Sequence, residues 1–278
     1  SPQHTLCKFK GPSQVCGNIF GKGVNKKDIE QILKVMNDYR NQMASGSYKY
    51  NGKSYPAAVN MMELKWDPEL AAAAQRHAEQ CVFGHDCNEC RKVARFRVGQ
   101  NVYIDMQTVD KKPQWPKPFN AWKDEVKFFD PRGISAFQFS PQVGHFTQQI
   151  WGTTSSVGCG FISYRKPQSQ FIERLYVCNY GPAGNMIGSP IYQTRQGQSR
   201  PCANELGPSR AYPHLCQEIG LRAAPKQGAK GQTKGEKKVQ KKIQKKAQKK
   251  GQRKGQKKGQ KKGQKKGQKK GQKKGQKK

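Results

Sequence analysis

No run in these 278 residues approaches the roughly 18 apolar residues of a membrane-spanning helix. No Asn-x-Ser/Thr acceptor for N-glycosylation occurs, and no Arg-Gly-Asp, which argues against a simple integrin-blocking role. No secretory leader precedes Ser1-Pro2, so this pair is expected to be a mature N-terminus left by cleavage. Cys87-Asn88-Glu89-Cys90 is a CxxC, but no second CxxC or matching His pair follows it, so the cysteines are not spaced as a zinc site. No Ser/His/Asp or Cys/His set is suggested by spacing. The last 54 residues, 225–278, lack aromatics, cysteine and every acid except Glu236. Without aromatics the tail cannot stack on bases, so sequence-specific nucleic-acid reading is not expected.

Charge divides the chain in two. Residues 225–278 hold 25 of the 53 Lys and Arg, a net of +24; the 28 basic and 17 acidic residues left in 1–224 give +11. The tail ends in ten tetrads that begin at Val239, Ile243, Ala247 and then seven glycines, each followed by Gln-Lys-Lys or Gln-Arg-Lys. A glycine every fourth residue costs a helix about 1 kcal/mol each, and lysine repulsion adds to that. The tail is therefore expected to be disordered, spanning about 40 Å as an ideal coil. All nine cysteines lie in the first 224 residues, with nearly all the aromatic and large apolar side chains. That usage fits an oxidising compartment, and the odd count leaves one thiol over or one bridge to another chain.

Residues 1–24 read as a loop-like arm tied down through Cys7 and Cys16. Asn25 to Ala44 predicts a helix, with Asn25 and Asp28 as a capping box and Ile29, Ile32, Leu33, Met36, Tyr39 and Met43 as its core stripe. Residues 46–56 form a polar loop containing tyrosines. Asp67 to Val82 predicts a second helix, capped by Asp67 with Pro68 in its first turn. A cysteine-rich turn with His85 follows, then a strand over 98–104 and a Pro-rich linker over 111–118. Phe119 to Phe129 predicts a third helix with Trp122, Val126 and Phe129 inward and Glu125 beside that stripe. Gly144 to Trp151 is a short helix with His145 at its start. Val157 to Tyr164 and Phe171 to Tyr180 are strands joined by a turn, with one cysteine in each. Residues 187–221 are loop-rich, with Cys202 and Cys216 closing a local ring.

Gly144-His145-Phe146-Thr147-Gln148-Gln149-Ile150-Trp151 and Leu175 to Asn185 resemble the two signatures of the CAP superfamily (cysteine-rich secretory proteins, antigen 5, pathogenesis-related proteins). Gln149 departs from the first, where an aliphatic is usual. Asn37-Asp38-Tyr39-Arg40 is similar to a further family segment, with Met36 where His is common. Cys81 to Asp86, Val98 to Val102 and Ala121 to Val126 resemble insect antigen 5. Pro190-Ile191-Tyr192 and Tyr212 to Cys216 resemble antigen 5 of flies. The resemblance implies an α+β fold, a three-layer α-β-α sandwich with a central antiparallel sheet, followed by the disordered basic tail. The domain bounds are then a disulfide-tied arm at 1–24, a CAP domain at 25–195, a disulfide-closed extension at 196–224 and the polybasic tail at 225–278.

The family cleft gathers two His and two acidic residues, which carry over to His85, Gln100, Glu125 and His145. Gln100 replaces a carboxylate, so acid–base work by a carboxylate pair is not expected. His85, Glu125 and His145 can hold a divalent ion such as zinc weakly, since two imidazoles, one carboxylate and water form a known zinc set. No cofactor is required. The resemblance also implies the bridges Cys16–Cys81 and Cys159–Cys178, beside the local pair Cys202–Cys216. Cys7 would join Cys90 or Cys87; the alternative is a Cys87–Cys90 bridge with Cys7 free.

The expectation is a secreted, non-enzymatic antigen 5-like protein, salivary or venom-like, that acts on host haemostasis or immunity. Its polyanion-binding residues would be Lys241, Lys242, Lys245, Lys246, Lys249, Lys250, Arg253, Lys254, Lys257, Lys258, Lys261, Lys262, Lys265, Lys266, Lys269, Lys270, Lys273, Lys274, Lys277 and Lys278. Partners would be heparin or heparan sulfate, polyphosphate, anionic phospholipid and, without sequence preference, DNA. Alternating Gln and Lys also suits transglutaminase cross-linking. One alternative is a lipid or sterol scavenger using the 29–43 stripe and the Tyr48–Tyr55 loop. Another is a metal-dependent hydrolase at His85, Glu125 and His145.

Overall fold

Two ten-residue strands around Cys159 and Cys178 are almost wholly buried, so both faces of their hairpin must be covered. The computed structural model describes residues 2–195, 202–203 and 206–219. The tail and its lysines lie outside the described residues, as does the disorder expected of them. In chain order the elements are α1 (Thr5–Lys8), β1 (Asn18–Lys22), α2 (Lys26–Ala44), β2 (Lys49–Tyr50), β3 (Lys53–Ser54), β4 (Lys65–Trp66), α3 (Pro68–Ala78), β5 (Gly99–Gln107), α4 (Pro116–Lys123), α5 (Gly144–Gln149), β6 (Ser156–Arg165), β7 (Ile172–Gly181), β8 (Leu206–Pro208) and β9 (Cys216–Glu218). Among the described residues no helix is long and apolar enough to cross a membrane.

The sheet runs β1-β6-β7-β5, antiparallel throughout, and β4 joins the start of β6 in parallel. Alternation along the hairpin sends Val157, Cys159, Phe161, Tyr176, Cys178 and Tyr180 to one face. There they meet Ile32 and Met36 of α2 and Phe119 and Trp122 of α4. Ile162, Tyr164, Leu175 and Val177 face the other way, onto Ala74 and Ala78 of α3. The result is the three-layer α-β-α sandwich. Gly158 and Gly160 let α3 approach closely, because a Cβ at either position would collide with the backbone of α3 or its Asp67 cap.

Local signals hold where the partner is close in sequence. Asn25 and Asp28 form the capping box of α2, and Asp67 accepts from the amides of Glu69 and Leu70 at the start of α3. Several boundaries differ where tertiary contacts decide. The 1–24 arm contributes β1 to the sheet, since its amides find partners along β6. The second helix stops at Ala78; Cys81 turns into the left-handed region at φ 57° and bridges to Cys16. The third helix begins at Pro116, where a missing amide costs nothing, and tightens to a 3-10 turn over Asp124–Phe128. Tyr48 and Tyr55, expected in a polar loop, are buried and packed edge to face, while Val35, Met36, Tyr39 and Gln42 of α2 line a cavity of about 240 Å³.

The cysteine pairs are Cys16–Cys81, Cys159–Cys178, Cys202–Cys216 and Cys87–Cys90. This corrects the expected Cys7–Cys90 or Cys7–Cys87 bridge. Cys87 and Cys90 close a turn in which the Cys90 amide donates to the Cys87 carbonyl at 2.9 Å, bringing their Cα atoms to 4.9 Å. The arm is held beside them by hydrogen bonds instead: Thr5 N donates to Cys90 O at 2.7 Å and Thr5 Oγ1 to Asp86 Oδ2 at 3.1 Å. Cys7 is an exposed free thiol. Peptide mapping without reduction should therefore find alkylated Cys7 and a linked 87–90 pair; a peptide joining residue 7 to 87 or 90 would contradict this arrangement.

Candidate functional site

Helix α5 begins without a capping side chain of its own, because Val143 precedes it. Glu125 supplies the cap from the 3-10 turn that follows α4. Its Oε2 accepts from the amides of His145 and Phe146 at 2.9 and 3.0 Å, and its Oε1 lies 2.6 Å from His145 Nδ1. A carboxylate is favoured at a helix start, where free amides and the dipole point at it. Because a carboxylate only accepts, Nδ1 of His145 donates to Glu125. The His145 ring stacks between Trp122, at 6.1 Å, and His85, at 6.2 Å between centroids. Asn101 Nδ2 donates to the His145 carbonyl and Asn185 Nδ2 to that of Gly144, so both strand and loop hold α5 in place.

Gln100, on β5, orients His85. Its Nε2 donates to Asp86 Oδ1 at 3.0 Å and to Asn179 Oδ1 at 3.1 Å, which leaves Oε1 to accept from His85 Nδ1 at 3.0 Å. Asp86 is in turn held by Arg91 at 2.6 Å. Partial burial holds the His85 imidazole below its ordinary value of 6.5; the Gln100 hydrogen bond opposes this and the neighbouring His145 adds to it. The sign follows from linkage: a base with a lowered folded-state pKa contributes stability that is present above about 6.5 and lost as pH falls through the folded value. An NMR titration should give His85 a midpoint below 6.5; a midpoint at or above it would contradict the burial argument.

His85, Gln100 and His145 line a cleft of about 980 Å³, together with Arg97, Phe139 and Asn185. Glu125 stands behind His145. The structure thus brings all four expected residues together, but not as a three-ligand metal set. Among the described residues no three of His, Cys, Asp and Glu are grouped to hold a metal. Glu125 spends both oxygens on α5, so only the two imidazoles remain, fewer than the three protein ligands of a catalytic zinc site. Asp86 and Trp122 are the residues that sequence reasoning left without a role here. Trp122 was read only as a core residue, and nothing in the spacing of Asp86 ties it to Gln100.

A profile of the cysteine-rich secretory protein family, CAP, matches residues 33–180. CRISP/Allergen/PR-1 of Trittame loki is 40% identical over 239 residues, 83% of this chain and 57% of that protein. The chain thus spans little more than half the length of that relative. Venom allergen 5 of Vespula pensylvanica is 40% identical over 195 residues, 69% of this chain and 94% of the relative. The solved structure of NaASP2 with Zn2+ superposes with a TM-score of 0.54 at 26% identity, covering 70% of this chain and 97% of that one.

Proposed function

Because the chain belongs to the cysteine-rich secretory protein (CAP) family and resembles a venom allergen 5 over its folded part, we propose that it is a secreted, non-enzymatic protein whose basic tail binds polyanions. The observation that carries this reading is the tail's composition: 25 Lys and Arg against one acid in residues 225–278. A polycation gains by releasing the counterions of a polyanion, with no need for shape complementarity. Solubility alone asks for a net charge of only about 2–8 on a small domain. Heparin or heparan sulfate, polyphosphate, anionic phospholipid and free DNA share the chemistry required. Sequestering or coating such surfaces would act on host haemostasis or immunity.

The cleft supports the non-enzymatic half of the proposal. Glu125 is committed to capping α5 and orienting His145, and Gln100 cannot exchange a proton. A second reading, a weakly held divalent ion such as zinc, is favoured by the paired His85 and His145 rings and by the likeness to a protein solved with Zn2+. The two imidazoles would be the only protein ligands, which suits weak holding and not catalysis. The test compares the full chain with one ending at Ala224 on immobilised heparin, each with and without chelator. Retention lost with the tail and indifferent to chelation is expected. Equal retention of both forms would sink the tail reading, and retention abolished by chelator would move binding to the cleft.

A further inference from the structure

We infer that the sheet end built from the tip of β5 and the β6–β7 turn is a docking site for anionic lipid bilayers. Met106, Val109 and Phe171 are 61%, 65% and 48% exposed and line one depression of about 410 Å³ with Lys111. The antiparallel register makes them neighbours, since Gln107 pairs with Ile172. Scattered apolar side chains are ordinary on a protein surface, whereas here three large ones are gathered on one tip.

The surrounding charge selects the occupant. Loop 108–114 carries Lys111 and Lys112 against Asp110, and the turn and its approach carry Arg165 and Lys166. Lys166 is paired with Glu173 at 3.1 Å, and the Arg165 guanidinium lies over the Phe20 ring at 5.3 Å. Lys111 lines the depression beside the three apolar side chains and Lys112 follows it in the chain. Apolar side chains with lysines at their edge match the headgroup boundary of an anionic bilayer, where the apolar groups insert and the lysines reach back to phosphate. A soluble polyanion would gain nothing from the apolar centre. A small apolar anchor holds a membrane only marginally and is reinforced by a polybasic segment. The inference therefore rests on the polyanion reading of the tail for that segment.

The test uses the full chain and its Met106→Ser/Val109→Ser/Phe171→Ser variant, which removes apolar surface without adding charge at exposed positions. Sedimentation with phosphatidylcholine vesicles containing phosphatidylserine should show vesicle partitioning of the variant reduced by about tenfold or more. Its elution from heparin should be unchanged. Equal partitioning of the two proteins, or no binding by either, would overturn the inference. So would wild-type self-association that the variant loses, which would make the tip an interface between copies. Failure of the tail reading shows separately, as unchanged heparin retention in the chain ending at Ala224.

Discussion

Arg40→Met is expected to cost the folded domain about 4 kcal/mol, read from chemical denaturation. Arg40 is 1% exposed and has no carboxylate partner among the described residues. Its guanidinium instead donates to five carbonyls, those of Met62, Gln149, Trp151, Gly152 and Thr154, at 2.7 to 3.3 Å. Burial pulls its pKa down to about 9, which still leaves it charged at neutral pH. Each buried carbonyl left without a donor costs about 1–3 kcal/mol, and water entering the vacated space recovers part of the total. Methionine matches the stem but restores none of the bonds. Lysine keeps the charge yet lacks the planar fork, so Arg40→Lys should recover only a fraction. A loss below about 1 kcal/mol would mean that the carbonyls find other partners. Four of the five carbonyls belong to the chain leaving α5, so the same substitution should loosen the helix that carries His145.

That role shows where sequence reasoning stopped. Asn37 to Arg40 stood out through resemblance, but no periodicity indicates that a helical arginine collects carbonyls more than a hundred residues away. The two strands and the stripe of α2 were legible locally, because apolar patterning follows which faces are buried, whereas the three layers came through the resemblance. The capping box at Asn25 and Asp28 was legible for the same reason. The site was legible as a set, through His85, Gln100, Glu125 and His145, but not in its internal roles. Glu125 was read as able to hold a metal weakly, and its capping of α5 with both oxygens was not read. The cysteine turn was read first through a bridge from Cys7, with Cys87–Cys90 as the alternative, and chain closure over three residues takes the alternative.

The largest expected effect lies in the tail. Deleting residues 225–278 removes 25 of the 53 basic side chains and a net charge of +24. If six to ten of these contact a polyanion at once, binding weakens by about 10³–10⁵-fold between 50 and 200 mM salt. The truncated chain, ending at Ala224, keeps a net of +11 spread over a folded surface and should show only weak, shallow salt dependence. The folded domain should unfold at the same denaturant concentration in both forms, since the Cys202–Cys216 bridge and the sheet are retained.

The most direct measurement is the slope of log K against log salt for a heparin oligosaccharide, taken on the full chain and on the chain ending at Ala224. A steep negative slope for the full chain, collapsing to a shallow one with a thousandfold or greater loss of affinity near 50 mM salt, is the predicted result. The same slope and affinity in both forms would contradict the account and place polyanion binding on the folded domain.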